Sequence, residues 1–286
     1  MADDAAIPHR IFLESQYLIV NPMQVDPREW SQLESVSIVS TRLKHEAHMM
    51  PRLVSLDKLP LERKLELLDR NELSMAKGNG ALWSCALRSD SSLDETAGHL
   101  ARAQVLRTPH GQYFLLRHHD PRVFRHLIWM LRASQLAALM GPISVWSWLD
   151  ADRGQWQQVA RPQDRSGGGL IAQEWGGINR IGLVNAVLRD VRRARMDVAL
   201  DESLYRQIDS ALKRAIEIEG LDDAEDQRLY ALHCINYGDA WSDRADVQAV
   251  LTRVKSGDGS YYALSVECTS LGASGALEKT EGNRHA

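Results

Sequence analysis

The stretch FLLRHHDPRVFRHLIWML, residues 114–131, joins two apolar runs through a short charged segment. The first run predicts a strand, and the second places its apolar residues at helical spacing. Asp120 precedes the helical run, and an aspartate there accepts a hydrogen bond from an N–H of the first turn. Pro121 follows at the first helical position, where a missing N–H costs nothing. The stretch therefore predicts a strand-to-helix connection with Asp120 as the N-cap.

The same segment admits a second interpretation, a metal or acid–base site built from His118, His119 and Asp120. Adjacent residues of an extended segment point to opposite faces, so two neighbouring histidines are awkward ligands for one metal ion. A third ligand would come from His45 or His48, which are three residues apart, whereas the zincin motif spaces its histidines by four. The alternative, a metal-dependent hydrolase, stays open. We favour the structural interpretation and assign no catalytic residue, metal or cofactor.

Arg117 and Arg122 bracket this connection. A guanidinium presents a planar fork of N–H donors that matches a carboxylate. We therefore expect at least one of the two arginines to pair with an acidic residue of the N-terminal lobe.

Short apolar runs alternate with helix-period segments through the first half of the chain. This alternation predicts an α/β N-terminal lobe whose mixed sheet is at least partly parallel and is flanked by helices. The last two strands, residues 143–149 and 155–160, enclose a turn and predict a hairpin. The other predicted strands are residues 17–20, 37–39, 53–56, 82–87 and 113–116, and the predicted helices include residues 61–68 and 93–105.

Beyond residue 177 the apolar period is helical throughout. Four amphipathic segments with short connections predict a smaller all-α C-terminal lobe, in which Gly238 ends the third helix. We divide the chain into an α/β domain at residues 1–165, a glycine-containing connection at 166–177 and a helical lobe at 178–269. The remaining residues, 270–286, are rich in small and charged residues and are expected to be disordered.

The composition restricts the class of protein. The net charge is −4, from 34 basic and 38 acidic side chains, and this balance argues against general nucleic-acid binding. The N-terminal residues lack an apolar signal segment, and the three cysteines are far apart in sequence. We therefore expect a soluble cytoplasmic protein with reduced thiols, no membrane segment and no nucleic-acid partner.

Three tryptophans are candidate partner contacts. Trp146 and Trp148 share one face of a predicted strand, where they are either core residues or an exposed contact surface. Trp175 stands at the entry to the helical lobe. A tryptophan offers a large apolar area and one orienting N–H, which makes it frequent among binding hot spots. We expect these rings to line a recognition surface between the two lobes.

The run TPHGQYFLLRHHDPRV, residues 108–123, resembles the hallmark of the type VI secretion adaptor family, also called effector chaperones. These proteins carry a domain catalogued as one of unknown function. Its pattern is a helix with a His-Leu pair, a glycine turn, and an apolar strand that ends in Arg-x-x-Asp-Pro-Arg before a helix. The pair here is His99-Leu100 and the turn is at Gly111. The motif residues here are Arg117, Asp120, Pro121 and Arg122.

The resemblance is good from about residue 84 to residue 148 and looser from 17 to 56. Two departures stand out. His118 and His119 occupy positions where the family has an aromatic and a variable residue, and residues 17–21 lack the aspartate that often follows the first strand. Both weaken any expectation of a shared polar site.

The resemblance implies an adaptor that is not an enzyme. Proteins of this family bind a secreted effector in the donor cytoplasm and load it onto the valine-glycine-repeat spike protein (VgrG). For such a protein, apolar grooves with polar rims matter more than residues with perturbed pKa values. The partners implied here are therefore an effector and VgrG.

Overall fold

A computed structural model describes residues 8–108, 110–164, 175–195, 198–266 and 268. The chain divides into two compact units, Met1–Ile178 and Asn179–Ala286. The predicted tail at residues 270–286 and most of the predicted glycine connection lie outside the described residues. Within the described part of the chain, no helix combines the length and the apolar composition that a membrane crossing needs.

The first unit contains the described strands. They are β1 Tyr17–Val20, β2 Ser35–Ser37, β3 Arg52–Ser55, β4 Cys85–Ser89, β5 Val105–Arg107, β6 Tyr113–Leu115, β7 Ile143–Asp150 and β8 Gln155–Ala160. Six of them form one sheet in the order β2-β3-β1-β4-β7-β8, and β5 and β6 form a separate two-stranded sheet. The predicted hairpin of β7 and β8 is confirmed, with Leu149 opposite Trp156.

The sheet is flanked by helices, as predicted, but the expectation that part of it is parallel is wrong. Every pairing of the described strands is antiparallel. The alternation of strands and helices along a sequence does not fix strand direction, because a helix can also lie between antiparallel neighbours. All four residues of β1 are buried, which gives this antiparallel strand the continuous apolar run that is typical of parallel sheets.

Five helices of the first unit are α1 Pro8–Glu14, α2 Leu61–Ala76, α3 Leu93–Ala103, α4 Pro121–Met130 and α5 Ala133–Met140. Ser92 and Glu95 form a capping box at the start of α3, which satisfies two backbone N–H groups of that end. α5 ends at Gly141, whose φ is 56° and where a Cβ would overlap the ring of His99. Only glycine fits there, since other residues rarely adopt a positive φ.

The C-terminal half is helical, as predicted. Its helices are α6 Trp175–Ala194, α7 Glu202–Glu217, α8 Ala224–Tyr237, α9 Ala245–Lys255 and the short α10 Tyr261–Leu264. α8 ends at Gly238, which has a φ of 86°; this confirms the predicted glycine stop. A buried apolar cluster that includes Tyr230, Trp241, Val250 and Tyr261 forms the core of the second unit.

Candidate functional site

The connection between β6 and α4 is built as the sequence predicts. The Asp120 side chain accepts a hydrogen bond from the backbone N–H of Arg122 at 3.0 Å, and Pro121 is the first helical residue. The backbone N–H of Asp120 donates to the carbonyl of Arg117 at 2.9 Å and closes the preceding turn. Asp120 is therefore the N-cap of α4, and this prediction is confirmed.

Arg122 returns over its own cap and pairs with it. Its Nε lies 3.0 Å from Oδ1 of Asp120, and its Nη2 lies 2.8 Å from Oδ2. Burial raises the pKa of the Asp120 carboxyl, but the hydrogen bonds and charge of Arg122 outweigh it and the pKa falls below its ordinary value. The expectation that one motif arginine pairs with an acidic residue is confirmed for Arg122.

Arg117 behaves differently. Its side chain is exposed, and it makes no hydrogen bond or ion pair with any residue that the structure describes. Its charge nevertheless reaches the neighbouring groups, because it contributes to lowering the pKa values of His119 and Asp120. Arg117 is therefore a cation of the motif with no internal partner in the described chain.

His118 is a buried structural residue. Its Nε2 lies 3.1 Å from the carbonyl oxygen of Leu100, so this nitrogen carries the proton and donates. Its ring packs edge-on against Trp146, with 5.7 Å between the ring centroids. Burial, followed by the nearby charge of His119, lowers the pKa of His118 to about 3. The ring is neutral at physiological pH.

His119 is half-buried and lies on another side of the segment. The ring centroids of His118 and His119 are 6.1 Å apart and the ring planes are 84° apart. Burial lowers the pKa of His119 to about 4, and its Nδ1 is buried without a hydrogen-bond partner among the described residues. Its carbonyl oxygen accepts a weak hydrogen bond from Sγ of Cys85 at 3.4 Å.

The ligand set that the hydrolase alternative needs is not assembled in the described chain. His45 belongs to a short 3₁₀ segment, Thr41–Glu46, and both His45 and His48 are exposed. Among the residues that the structure describes, no group of three or more His, Cys, Asp or Glu side chains is placed to hold a metal ion.

The candidate tryptophans lie in three different environments. Trp146 is fully buried and stacks on Phe124, with 4.3 Å between the centroids. Trp148 is 8% exposed and meets Phe124 edge-on. Both rings are core residues, so neither is available as an exposed contact in this structure. Trp175 is half-buried at the start of α6 and packs edge-on against Phe114. A contact by Trp175 with a partner stays a prediction.

The motif residues line one pocket of about 800 Å³ in the first unit. Arg117, His119, Asp120, Pro121 and Arg122 form one wall. Other lining residues follow β1, precede β3, or lie at the end of β7 and in the turn after it. They include Asn21, Met23 and Gln24, Met49, Met50 and Pro51, and Asp150, Ala151 and Asp152. We call this cavity the motif pocket.

A second ion-pair group occupies the motif pocket. Arg125 is buried on α4, and its Nη1 lies 2.5 Å from Oδ2 of Asp152 and 3.8 Å from Oδ1 of Asp150. Asp150 also accepts the backbone N–H of Asp152 at 3.0 Å. These contacts fix the end of β7 and the turn after it against α4.

Sequence reasoning did not find Arg125, Asp150, Asp152 or the methionines Met23 and Met49 of this pocket. A sequence signal existed for Asp150 and Asp152. Two acidic residues at the end of an apolar strand are suited to pair with a basic residue such as Arg125, which lies three positions after the Asp-Pro-Arg motif. Met23 and Met49 carry no local signal, since only the folding of the sheet brings them to the motif.

Comparison with known proteins gives one result for this chain. Residues 17–138 match a family model described as "Domain of unknown function (DUF4123)". No curated protein and no solved structure gives a significant match. The matched range includes every pocket residue from Asn21 to Arg125, and the turn after β7 lies outside it. Residues 17–138 are therefore similar to this domain of unknown function, and most of the residues that line the motif pocket lie in the matched range.

Proposed function

We propose that the protein is a cytoplasmic adaptor of the type VI secretion system, which binds a cognate effector and loads it onto the VgrG spike protein. The observation that carries the proposal is the motif pocket. The four residues of the Arg-x-x-Asp-Pro-Arg motif, by which the chain resembles the adaptor family, line it together with two exposed methionines. The match over residues 17–138 supports the same domain.

The chemistry of the pocket favours recognition. A general base works best when its pKa is near the operating pH, whereas burial lowers the pKa of His119, the histidine that lines the pocket, to about 4. Asp120 and Asp152 are held by arginines. Charges fixed in pairs beside adaptable apolar side chains are typical of a surface that binds another protein.

The test is genetic and biochemical. A tagged chain, expressed in its native host at natural level, is purified and its bound proteins are identified. We expect one secreted effector and VgrG to co-purify with it, and we expect deletion of its gene to abolish secretion of that effector while other effectors are still secreted. Normal secretion of every effector in the deletion strain would overturn the proposal. Stoichiometric zinc or iron in the purified protein, with hydrolytic activity, would favour the hydrolase instead.

A further inference from the structure

The charged side chains that line the motif pocket differ in whether they have a partner within the protein. Arg122 is paired with Asp120, and Arg125 is paired with Asp152. Of the charged lining residues that the structure describes, Arg117 alone makes no hydrogen bond or ion pair. A guanidinium offers five N–H donors in a fixed fork. The pocket therefore presents one unused cation that is suited to a carboxylate.

Apolar side chains also line the motif pocket. Met23 is 62% exposed and Met49 is 39% exposed, and both line the cavity. Methionine has a flexible, polarisable side chain that adapts to different apolar partners. Two such side chains exposed at one cavity provide a place for an apolar side chain of a ligand.

His119 adds a hydrogen-bonding group. It lines the pocket, and its Nδ1 is buried without a partner among the described residues. Buried polar atoms in folded proteins are nearly always hydrogen-bonded, and the exceptions often lie at functional sites. A neutral imidazole offers either one donor or one acceptor at this atom.

We propose that the motif pocket binds a segment of a partner protein that presents an acidic side chain and an apolar side chain to the same cavity. Arg117 pairs with the carboxylate, and Met23 and Met49 cover the apolar side chain. The identity of the partner rests on the proposed function, whereas the chemistry of the segment rests on the pocket alone.

The charges argue for a single carboxylate. Asp120, Asp150 and Asp152 offset the charges of the three arginines that line the same cavity, so a densely charged polyanion such as a nucleic acid would meet no net positive charge and one unused cation. Binding to a nucleic-acid backbone needs several cations that neutralise successive phosphates. One acidic side chain satisfies Arg117 without bringing further negative charge to the aspartates.

Peptide selection tests the proposal. A phage-displayed library of random dodecapeptides is selected on the immobilised full chain, on Arg117→Glu and on the matched control Arg102→Glu, an exposed arginine of α3 outside the pocket. We expect the wild type and Arg102→Glu to select peptides with Asp or Glu together with Leu, Ile, Met or Phe. Arg117→Glu should lose the acidic preference. Selection of basic peptides by the wild type, or of no peptide at all, would overturn the proposal.

Affinity measurements then test the ionic contact. A selected peptide is synthesised with its acidic residue and with the corresponding amide, and both are titrated into the wild type and Arg117→Gln. A hydrogen-bonded charge pair of this kind is worth roughly tenfold to hundredfold in affinity. We expect the amide peptide and Arg117→Gln each to weaken binding by that factor, and their combination to add little. Equal affinities for the acid and the amide would contradict the assignment of Arg117.

The two proposals fail in different ways. If Arg117→Gln folds normally by circular dichroism and binds the acidic peptide as well as the wild type, the pocket assignment is wrong even when the effector still co-purifies. If the peptide preference and its dependence on Arg117 hold while secretion does not need the protein, the pocket assignment stands and the adaptor function is wrong.

Discussion

Each compact unit buries a tryptophan beside a neutral histidine, but the two units differ in whether the polar atoms of these rings have hydrogen-bond partners. In the second unit, Trp241 Nε1 donates to the Tyr261 hydroxyl at 3.1 Å. The Tyr261 hydroxyl then donates its own proton to Nδ1 of His233, which lies 3.1 Å from the hydroxyl oxygen. In the first unit, His118 packs against Trp146, and Nδ1 of His118 is buried without a hydrogen-bond partner among the described residues.

The difference extends beyond one ring. In the described part of Asn179–Ala286, every buried side-chain nitrogen or oxygen has a hydrogen-bond partner. In the first unit, His118, His119 and Trp148 each keep a buried ring nitrogen without one in the described chain. Unsatisfied buried atoms cost free energy, so proteins keep few of them and often keep them at functional sites. The first unit thus has the unsatisfied groups, and one of them, His119, lines the motif pocket.

Truncation of the two tryptophans should have the largest effect on stability, and it tests whether both rings are core residues. Trp146 is fully buried and Trp241 is 1% exposed, so alanine at either position should lower the free energy of unfolding by about 3–5 kcal/mol. Urea unfolding followed by circular dichroism measures both. Tyr262→Ala is the control, because this ring is 60% exposed and its loss should change stability by no more than about 0.5 kcal/mol. A loss below about 1 kcal/mol for Trp146→Ala would show that its ring is not core.

Low pH should lower the free energy of unfolding through His118. Burial, followed by the charge of His119, lowers its pKa from 6.5 to about 3 in the folded state. Between these pH values the unfolded chain binds a proton at His118 that the folded chain does not. The contribution of neutral His118 to the free energy of unfolding is therefore fully present above about pH 6.5 and falls as the pH falls toward 3. The loss from this residue is roughly 2 kcal/mol at pH 5. Urea unfolding of the wild type and His118→Phe at pH 7 and pH 5 measures it.

We expect His118→Phe to be less stable at pH 7, since the Leu100 carbonyl loses its donor, but to lose less stability between pH 7 and pH 5. His233→Phe is the matched variant in the second unit, because burial also lowers the pKa of His233 to about 4. An unchanged pH dependence in His118→Phe would mean that His118 titrates normally in the folded protein.

The helix caps give a smaller effect that should be equal in the two units. Asp120 caps α4, and Asp223 caps α8 by accepting the backbone N–H groups of Glu225 and Asp226. Alanine at either cap should lower the free energy of unfolding by about 1 kcal/mol, up to about 2. Asp120→Asn should stay within about 0.5 kcal/mol of the wild type, since asparagine caps nearly as well. Unfolding curves in urea give these values, and a large loss in Asp120→Asn would point to a role for the charge itself.

Much of this architecture is predictable because its causes are local. The helix that begins after Asp120-Pro121, the glycine stop at Gly238 and the hairpin after β7 each follow from residues a few positions apart. The direction of the strands is not determined locally. The sequence therefore predicted a sheet that is at least partly parallel, whereas every described pairing in it is antiparallel.

The candidate site was predictable in part for the same reason. Arg117, Asp120 and Arg122 are recognisable from their spacing, whereas Met23, Met49 and Asp152 reach the pocket from distant parts of the chain. Burial of Trp146 could not be decided from an alternating strand, since both faces of β7 carry apolar residues. Its position between Phe124 and His118 decides it.

The smallest effect concerns the two motif arginines and tests how far the pairing in the pocket stabilises the fold. Arg122 forms a two-point pair with Asp120, but its side chain is 59% exposed, and exposed pairs are worth about 0–1 kcal/mol. Lysine keeps the charge and loses the fork, so Arg122→Lys should lower the melting temperature by about 1–2 °C. Arg117→Lys should leave it unchanged, because Arg117 has no internal partner among the described residues. Differential scanning calorimetry of both variants decides the point: a lower melting temperature for Arg117→Lys would reveal an internal contact and remove the unused cation from the pocket.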